Sequence, residues 1–269
     1  MISRPHRRRI LIGAALALSV VLPLGSADAA DRTIRVGITS GETEDVWAVV
    51  KAEAAKRGLD VKAVPFNDYT QPNEALETGD LDANAFQHQP YLDNQNKARG
   101  YHIVPVGFTA LWPIGLYSRK HKSVGDLPKG AVVGVPNDPS NEGRALRLLQ
   151  LQGLITLKPE AGILATTSDI SANPKGIVVK ELDAGIVGRS IDDLDAAVVN
   201  TDWALKSNLG VDERIATEPV ADNPYRNLIA VKAGHENDPW VKPLVAAFQT
   251  DAVRDALNTA FKGTAVAAW

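Results

Sequence analysis

The sequence predicts an α/β protein of two lobes, each a mostly parallel sheet flanked by helices, with the chain crossing twice between them. Three observations lead to this fold. Short apolar runs alternate with helical stretches, which is the pattern of parallel sheets covered by helices. The alternation restarts after about a hundred residues, a common domain size. The 269 residues are 45% hydrophobic and 23% charged, which is enough apolar material for two cores.

The first lobe is expected over residues 30–112. Strands are assigned to short apolar runs, and helices to segments with apolar residues at every third or fourth position. The predicted elements, in order, are strand TIRVGIT (33–39), helix DVWAVVKAEAAKRG (45–58), strand DVKAVPF (60–66), helix NEALETG (73–79), strand DLDANAF (80–86), helix YLDNQNKARG (91–100) and strand HIVPVGF (102–108).

The second lobe is expected over residues 113–225, and the chain then returns to the first lobe over residues 226–269. The predicted elements are strand AVVGVP (131–136), helix EGRALRLLQLQG (142–153), strand GIVVKEL (176–182), strand DAAVVN (195–200), helix TDWALKSNLG (201–210), strand NLIAVKAG (227–234) and two helices within 239–261. We place the two crossings near Thr109–Ser118 and Pro219–Asn227, which both contain proline. Two crossings make a hinge, and a cleft between hinged lobes is a typical ligand site.

Residues 1–29 have the composition of a secretory signal peptide. A basic start is followed by an apolar run and then by small residues, with cleavage expected before Ala30. The apolar run is shorter than the roughly 20 residues that span a bilayer, so an uncleaved anchor is the weaker alternative. General and twin-arginine export both stay open. Because the chain has no cysteine to carry a lipid, we expect a periplasmic protein that is not a lipoprotein.

Composition argues against several classes of function. Removal of the signal peptide takes away four of the 29 basic residues and one of the 32 acidic residues, which leaves a net charge of −6. An acidic surface without a basic stripe disfavours nucleic acid as a partner. The absence of cysteine excludes disulfides, zinc-thiolate sites and thiol nucleophiles.

The motifs of common enzymes are missing. The sequence has no phosphate-binding loop, dinucleotide fingerprint, hydrolase elbow or zinc-protease motif. Its five histidines are scattered, and no pair has the i, i+4 spacing of a metal site on a helix. We therefore expect no metal, no cofactor and no enzyme activity. The alternative is a hydrolase that uses His88 with a carboxylate.

Two stretches of the first lobe supply candidate binding residues. In FNDYTQPNEAL, Tyr69 follows a predicted strand and carries an aromatic ring with a polar tip. In DANAFQHQPYLD, Phe86 and His88 lie on one side of an extended segment, with Tyr91 just beyond them. The alternatives are a Tyr69 packed beneath a loop and a His88 held by a structural hydrogen bond.

The loop VPNDPSNEGR supplies candidates from the second lobe. Ser140 or Asn141 is a candidate N-cap, which would turn the first helical amides toward an anion. Arg144 could hold a carboxylate with two parallel hydrogen bonds. Alternatively, it is a surface arginine paired with Glu142 or Glu160. Since no phosphate-loop lysine and no nucleophile accompany the loop, a ligand that is bound without reaction is favoured over a phosphate or a reacting substrate.

Two asparagines near strand ends complete the candidates. Asn200 follows a buried strand, and open α/β sheets bind ligands at such carboxyl ends. Asn227 begins the strand of the return crossing. A side-chain amide can both donate and accept hydrogen bonds to a ligand. The alternative for Asn200 is an ordinary turn-forming asparagine.

Six segments together resemble the methionine-binding proteins of bacterial ABC importers, the NlpA or MetQ lipoprotein family. These segments are FNDYTQPNEALETGDLDANAFQHQPYLD (66–93), VPNDPSNEGRALRLLQLQGLI (135–155), NPKGI (173–177), RSIDDLDAAVVNTDWA (189–204), NPYRNLIAV (223–231) and FKGTAVAAW (261–269). The resemblance runs from about Ile34 to Trp269, and the first two segments are long enough to be highly specific.

The resemblance implies a type II periplasmic binding-protein fold that closes on an amino acid. It further implies a protein that binds methionine, most often the L form, and delivers it to a membrane permease with its ATPase. We also expect the protein to be a monomer. Another amino acid, D-methionine or a short peptide is the alternative ligand, and a structural or adhesive role is the alternative function. The implied pocket residues are Tyr69, Phe86, His88 and Tyr91 from the first lobe, Asn141, Arg144 and Asn200 from the second, and Asn227 near the hinge.

The chain departs from the family pattern in three places. It lacks the cysteine that family members usually carry after the signal peptide. Its first loop, TSGETEDV, is more acidic than the small-residue loop typical of the family. Trp112 stands where another aromatic residue is common, which could alter selectivity for the ligand's side chain.

Overall fold

The computed structural model describes residues 1–2 and 33–269. The predicted signal peptide and its cleavage site lie outside the described residues, apart from Met1 and Ile2. Over the described part, the chain forms two lobes, each built on a five-stranded sheet with helices packed against it. The predicted α/β class with two lobes is confirmed. Within the same residues, no helix has the length and apolar character needed to cross a membrane.

The order of strands and helices along the chain largely follows the predicted alternation. The strands are β1 Thr33–Thr39, β2 Asp60–Phe66, β3 Ala83–Asn84, β4 Ile103–Phe108, β5 Ala110–Leu111, β6 Gly115–Tyr117, β7 Val132–Pro136, β8 Thr156–Leu157, β9 Ile170–Ala172, β10 Val178–Leu182, β11 Ala196–Val199, β12 Arg214–Thr217, β13 Leu228–Lys232 and β14 Val266–Ala267. The helices are α1 Glu42–Ala55, α2 Gln71–Thr78, α3 Gln89–Arg99, α4 Pro139–Leu151, α5 Ala184–Val187, α6 Thr201–Lys206, α7 Val241–Phe248 and α8 Asp251–Ala260.

The sheet of the first lobe has the strand order β2-β1-β3-β13-β4. Strand β1 pairs in parallel with β2 and β3, whereas β13 is antiparallel to both β3 and β4. The one reversed strand is the one that returns from the second lobe. Helices α1, α7 and α8 pack together in the core of this lobe, where the rings of Trp47 and Phe248 lie 5.6 Å apart.

The sheet of the second lobe has the strand order β10-β7-β11-β6-β12. Strand β7 is parallel to β10 and β11, and β6 is antiparallel to β11 and β12. Helix α4 directs Leu146 and Leu149 into a core with Val133 and Val198, all four fully buried. This packing places the first turn of α4 beside the carboxyl end of β7, which positions its polar residues at the edge of the sheet.

The two crossings between the lobes run side by side. The first leads from β5 to β6, and the second leads from β12 to β13. The amide of Glu218 donates to the carbonyl of Ile114 at 3.2 Å, and the amide of Asn227 donates to the carbonyl of Ala110 at 2.8 Å. Backbone hydrogen bonds therefore join the two crossings at both ends.

Some local predictions are wrong. Helix α4 is capped by Asp138 and not by Ser140 or Asn141, because the Asp138 carboxylate accepts from the amide of Asn141 at 3.0 Å, directly before Pro139. The strand predicted over residues 80–86 is reduced to β3, Ala83–Asn84. Strands β5, β6, β8, β9, β12 and β14 were not predicted, since each has four residues or fewer and too little sequence to show alternation.

Candidate ligand-binding site

A cavity lies between the two lobes, at the carboxyl ends of β1 and β11. It has about 550 Å³ of space between atoms when its open mouth is counted, and about 40 Å³ of this can hold the centre of a water-sized sphere. All eight residues singled out from the sequence line it, namely Tyr69, Phe86, His88, Tyr91, Asn141, Arg144, Asn200 and Asn227. The other lining residues are Thr39, Thr43, Ala85, Gln87, Trp112, Thr201 and Asp202.

Three aromatic rings of the first lobe form one surface of the cavity, here called the aromatic wall: Tyr69, Phe86 and Tyr91. The ring centroids of Phe86 and Tyr91 lie 5.8 Å apart, and each lies 6.1 Å from the centroid of Tyr69. These spacings are typical of stabilising aromatic contacts. The Tyr91 hydroxyl donates to the carbonyl of Tyr69 at 2.8 Å. The wall is therefore preformed and mostly apolar.

A buried cluster of amides holds the segment that carries Phe86. The Asn73 and Gln87 side chains donate to each other, at 2.8 and 2.6 Å. Asn84 Nδ2 donates to Asn73 Oδ1 at 2.8 Å, and Gln87 Nε2 donates to Asn84 Oδ1 at 3.0 Å. Buried amides are costly unless they are paired, so this cluster favours one conformation of the chain between β3 and α3.

Hydrogen bonds link Asp138, Asn141, Asn200 and His88 beside the cavity. The hydrogen bond of Asp138 determines which atoms donate and which accept in the others. The Asp138 carboxylate accepts from Asn141 Nδ2 at 3.0 and 3.1 Å, which turns Asn141 Oδ1 toward the cavity. That oxygen accepts from Asn200 Nδ2 at 2.9 Å and lies 3.2 Å from His88 Nε2. Asn200 Oδ1 is buried without a hydrogen-bond partner among the described residues. These hydrogen bonds therefore end on a free acceptor, which a ligand with an N–H donor would satisfy.

The same contacts determine the protonation of His88. Its Nδ1 accepts from the backbone amide of Tyr91 at 3.2 Å, so the ring proton is on Nε2, which donates to Asn141 Oδ1. Burial, with a smaller contribution from the Arg144 charge, lowers the pKa of His88 from 6.5 to about 3. His88 is therefore neutral near pH 7, and both ring nitrogens are in use.

Arg144 is more constrained than the sequence suggests. Its side chain is only 3% exposed, and it pairs with Glu218 rather than with Glu142 or Glu160. Nε donates to both Glu218 oxygens at 3.1 Å, and Nη2 donates to Glu218 Oε1 and to the carbonyl of Trp112. The expected pair of parallel hydrogen bonds to a ligand is not available on this edge. Nη1 has no acceptor among the described residues, so it is left to face a ligand. Arg144 is 74 residues away from Glu218 in sequence, and no local pattern indicated their pairing.

A second direct contact between the lobes, besides His88 with Asn141, joins Tyr69 to Asp202 at the cavity. The Tyr69 hydroxyl donates to both carboxylate oxygens of Asp202, at 2.6 and 2.8 Å. Burial raises the pKa of both side chains. Asp202 was not predicted as a site residue, although it lies only two positions after Asn200. An acidic residue in the first helical turn after a buried strand was the available signal.

Tyr69→Phe is expected to weaken ligand binding about tenfold, because a hydrogen bond to a charged group contributes about 1.5–3 kcal/mol and this one exists only when the lobes are closed. Titration calorimetry measures the affinity, and small-angle scattering of the ligand-free protein should show a larger radius of gyration. Tyr101→Phe, at a partly exposed tyrosine of the same lobe, is the matched control. Equal affinity and equal radius in Tyr69→Phe and the unmodified protein would contradict this role.

Asn227 occupies the return crossing and is tied mainly to the first lobe. Its Nδ2 donates to the carbonyl of Phe86 at 3.0 Å, and its backbone forms an isolated bridge with His88. The amide of Thr109 donates to the Asn227 carbonyl at 2.8 Å. Asn227 thus supports the backbone that carries the wall and the histidine, and its side chain borders the cavity.

Comparison with known proteins identifies the family. The profile of the NlpA lipoprotein family matches residues 34–269. The chain belongs to the NlpA lipoprotein family. It is 44% identical over 261 residues to the D-methionine-binding lipoprotein MetQ of Escherichia coli O157:H7, and the match covers 96% of each chain. The suggested family resemblance is confirmed.

Solved structures agree with this assignment. A nutrient binding protein from Burkholderia cenocepacia, bound to methionine, superposes with a TM-score of 0.85 at 53% identity, covering 88% of this chain and 100% of the other. A periplasmic substrate-binding protein of an ABC transporter from Coxiella burnetii superposes with a TM-score of 0.84 at 43% identity, covering 87% and 100%. The periplasmic binding-protein fold with two lobes is therefore confirmed. These similar proteins are named for substrate binding and transport and not for catalysis.

The family assignment corrects one prediction. The absence of cysteine led to the expectation of a periplasmic protein that is not a lipoprotein. The matching family and the relative from E. coli O157:H7 are lipoproteins by name, which contradicts that expectation. It rested on the absence of one residue type, whereas the family match extends over residues 34–269.

Proposed function

We propose that this NlpA family member binds methionine between its lobes and delivers it to an ABC import permease with its ATPase. The observation that carries the proposal is that Arg144 and the unbonded Asn200 Oδ1 line the same cavity as the aromatic wall. A free amino acid carries a carboxylate, an ammonium group and a side chain. Arg144, Asn200 and the aromatic wall are complementary to these three groups, in that order.

Each part of methionine has a complementary group. Arg144 attracts the carboxylate, and charged hydrogen bonds of this kind are among the strongest in proteins. Asn200 Oδ1 accepts from the ammonium, with the Asp202 carboxylate nearby in the same lining. The aromatic wall contacts the thioether, since sulfur interacts favourably with aromatic rings. Trp112 also borders the cavity and restricts the space for the side chain.

The proposal includes binding without reaction. His88 is the side chain that a hydrolase would need as a base, yet its Nδ1 accepts a hydrogen bond from the Tyr91 amide and its Nε2 carries the proton. A pKa of about 3 makes it a poor base near neutral pH. Among the described residues, no group of histidine, cysteine, aspartate and glutamate has the geometry of a metal site.

The division into lobes at residues 30–112 with 226–269, and 113–225, forms part of the same proposal. The described sheets support it, since β6, β7, β10, β11 and β12 build one sheet and β13 rejoins the other. Closure about the paired crossings would bring Arg144 and Asn200 toward the aromatic wall. We further propose that the protein acts as a monomer, so that a single cleft meets the permease.

Native mass spectrometry and titration calorimetry test this proposal. We expect L-methionine to bind one per chain and to stabilise the fold by about 2.7 kcal/mol at a hundred times its dissociation constant. Thermal-shift competition with D-methionine, other amino acids and methionine dipeptides distinguishes the alternative ligands. The absence of binding and of any thermal shift with methionine would contradict the proposal, and turnover of a bound compound would contradict the non-catalytic part.

A further inference from the structure

Glu218 lies behind Arg144 and does not line the ligand cavity. It is 8% exposed, and its carboxylate accepts from Nε and Nη2 of Arg144. Arg144 Nη2 also donates to the carbonyl of Trp112 at 2.8 Å. Because a guanidinium is a rigid planar group, these hydrogen bonds determine the orientation of its plane.

The surroundings of Arg144 leave one part of it available. No described residue accepts a hydrogen bond from Nη1. The ring of Tyr225 covers one face of the guanidinium, with Cζ 4.5 Å from the ring centroid. With one edge bound and one face covered, Nη1 is the group presented to the cavity.

Glu218 also connects Arg144 to the two crossings. Its Oε1 accepts from the amide of Ile114 at 3.0 Å, in the first crossing, while Glu218 itself begins the second. Tyr225, further along the second crossing, contacts His88 with the ring centroids 5.1 Å apart. The orientation of Arg144 is therefore set at the hinge, by residues from both crossings.

We propose that Glu218 is a positioning residue, which orients Arg144 so that Nη1 binds the carboxylate of the ligand. This inference rests on the proposed binding of an amino acid. Glu218 has two opposite effects on binding: its negative charge repels a ligand carboxylate, and its hydrogen bonds hold Arg144 in place. The second effect is the larger one, since a misdirected buried guanidinium loses its hydrogen bond to the ligand entirely.

The test compares L-methionine with L-methioninamide, which lacks the carboxylate, at about pH 6, where both amines are protonated. In Glu218→Gln, we expect the affinity for methionine to fall about tenfold or more and that for the amide to change less than about threefold. Glu142→Gln is the matched control. Glu142 is a buried glutamate on α4, the helix of Arg144; its carboxylate accepts from the amide of Thr167, and it does not line the cavity. This control should keep the unmodified preference for methionine.

The outcomes separate this inference from the proposed function. If the unmodified protein binds neither compound, the proposed function fails and the ligand role of Glu218 fails with it. If it prefers methionine and Glu218→Gln keeps that preference, or binds methionine more tightly, the positioning role alone is overturned. A fall in both affinities by the same factor would indicate a general loss of structure and would also overturn it.

A ligand-free measurement covers the case in which Glu218→Gln does not fold. In nitrogen-15 NMR spectra of the unmodified protein, the Nε–H signal of Arg144, assigned by its loss in Arg144→Lys, should exchange slowly with water. Slow exchange is expected because both Glu218 oxygens accept from this N–H and the group is buried. Fast exchange would show that the guanidinium is not held and would overturn the inference.

Discussion

Arg144→Ala is expected to weaken methionine binding about tenfold or more and to lower the free energy of unfolding by about 3–5 kcal/mol. The loss of affinity follows from removal of the cation that faces the ligand carboxylate. The loss of stability follows from Glu218, which is 8% exposed and would be left as a buried charge without its partner. The binding change is read by titration calorimetry, and the stability change by urea unfolding.

Two further variants make this prediction specific. Arg147→Ala, one turn along α4, removes an arginine that donates to the carbonyls of Ala161 and Gly162 and does not line the cavity. It should leave the affinity unchanged. The double variant Arg144→Met with Glu218→Gln removes both charges, so it should recover stability without recovering binding. Full affinity in Arg144→Ala would contradict the assignment of the carboxylate site.

The stability of the protein is expected to fall between about pH 6.5 and pH 3 because of His88. Its pKa is lowered to about 3 in the fold, against 6.5 for the ordinary group. In this window the unfolded chain binds a proton that the folded chain excludes, so stability is complete above the window and is lost as the pH falls. The free energy of unfolding falls by about 1.4 kcal/mol per pH unit in this window, which amounts to about 3–5 kcal/mol in total.

The physical cause is the closed hydrogen bonding of the ring. A second ring proton would have to be on Nδ1, which accepts from the amide of Tyr91, and the charged ring would lie near Arg144. Urea unfolding at several pH values, compared with His88→Gln, isolates this contribution from the carboxyl groups. His102→Gln, at an exposed histidine, is the control. A pH dependence that is the same in the unmodified protein and in His88→Gln would contradict the prediction.

Several site residues could be predicted because their signals are local. Phe86, His88 and Tyr91 place two aromatic rings and an imidazole within six positions of one segment, which indicates one side of a pocket. Asn200 ends a buried strand, and the carboxyl ends of such strands meet at a binding edge. These predictions need only the order of residues along one segment, so periodicity and strand ends were sufficient.

The contacts that decide how the site works are not local. Glu218 meets Arg144 across 74 positions, and Asp202 meets Tyr69 across 133. The sequence showed each of these side chains but not which charges would pair, so Arg144 was given two partners that it does not contact. The pairing depends on two crossings that lie side by side and on lobes that close over one cavity.

The sequence by itself determined the alternation of strands and helices, the two lobes, the family and most of the residues around the cavity. These follow from apolar periodicity and from long motifs, which are properties of continuous segments. Only the tertiary structure decided the cap of α4, the protonation of His88, and that no described residue forms a hydrogen bond with Arg144 Nη1 or Asn200 Oδ1. Each depends on which donors and acceptors meet after folding, because buried polar groups take their partners from whatever segment lies within hydrogen-bond reach.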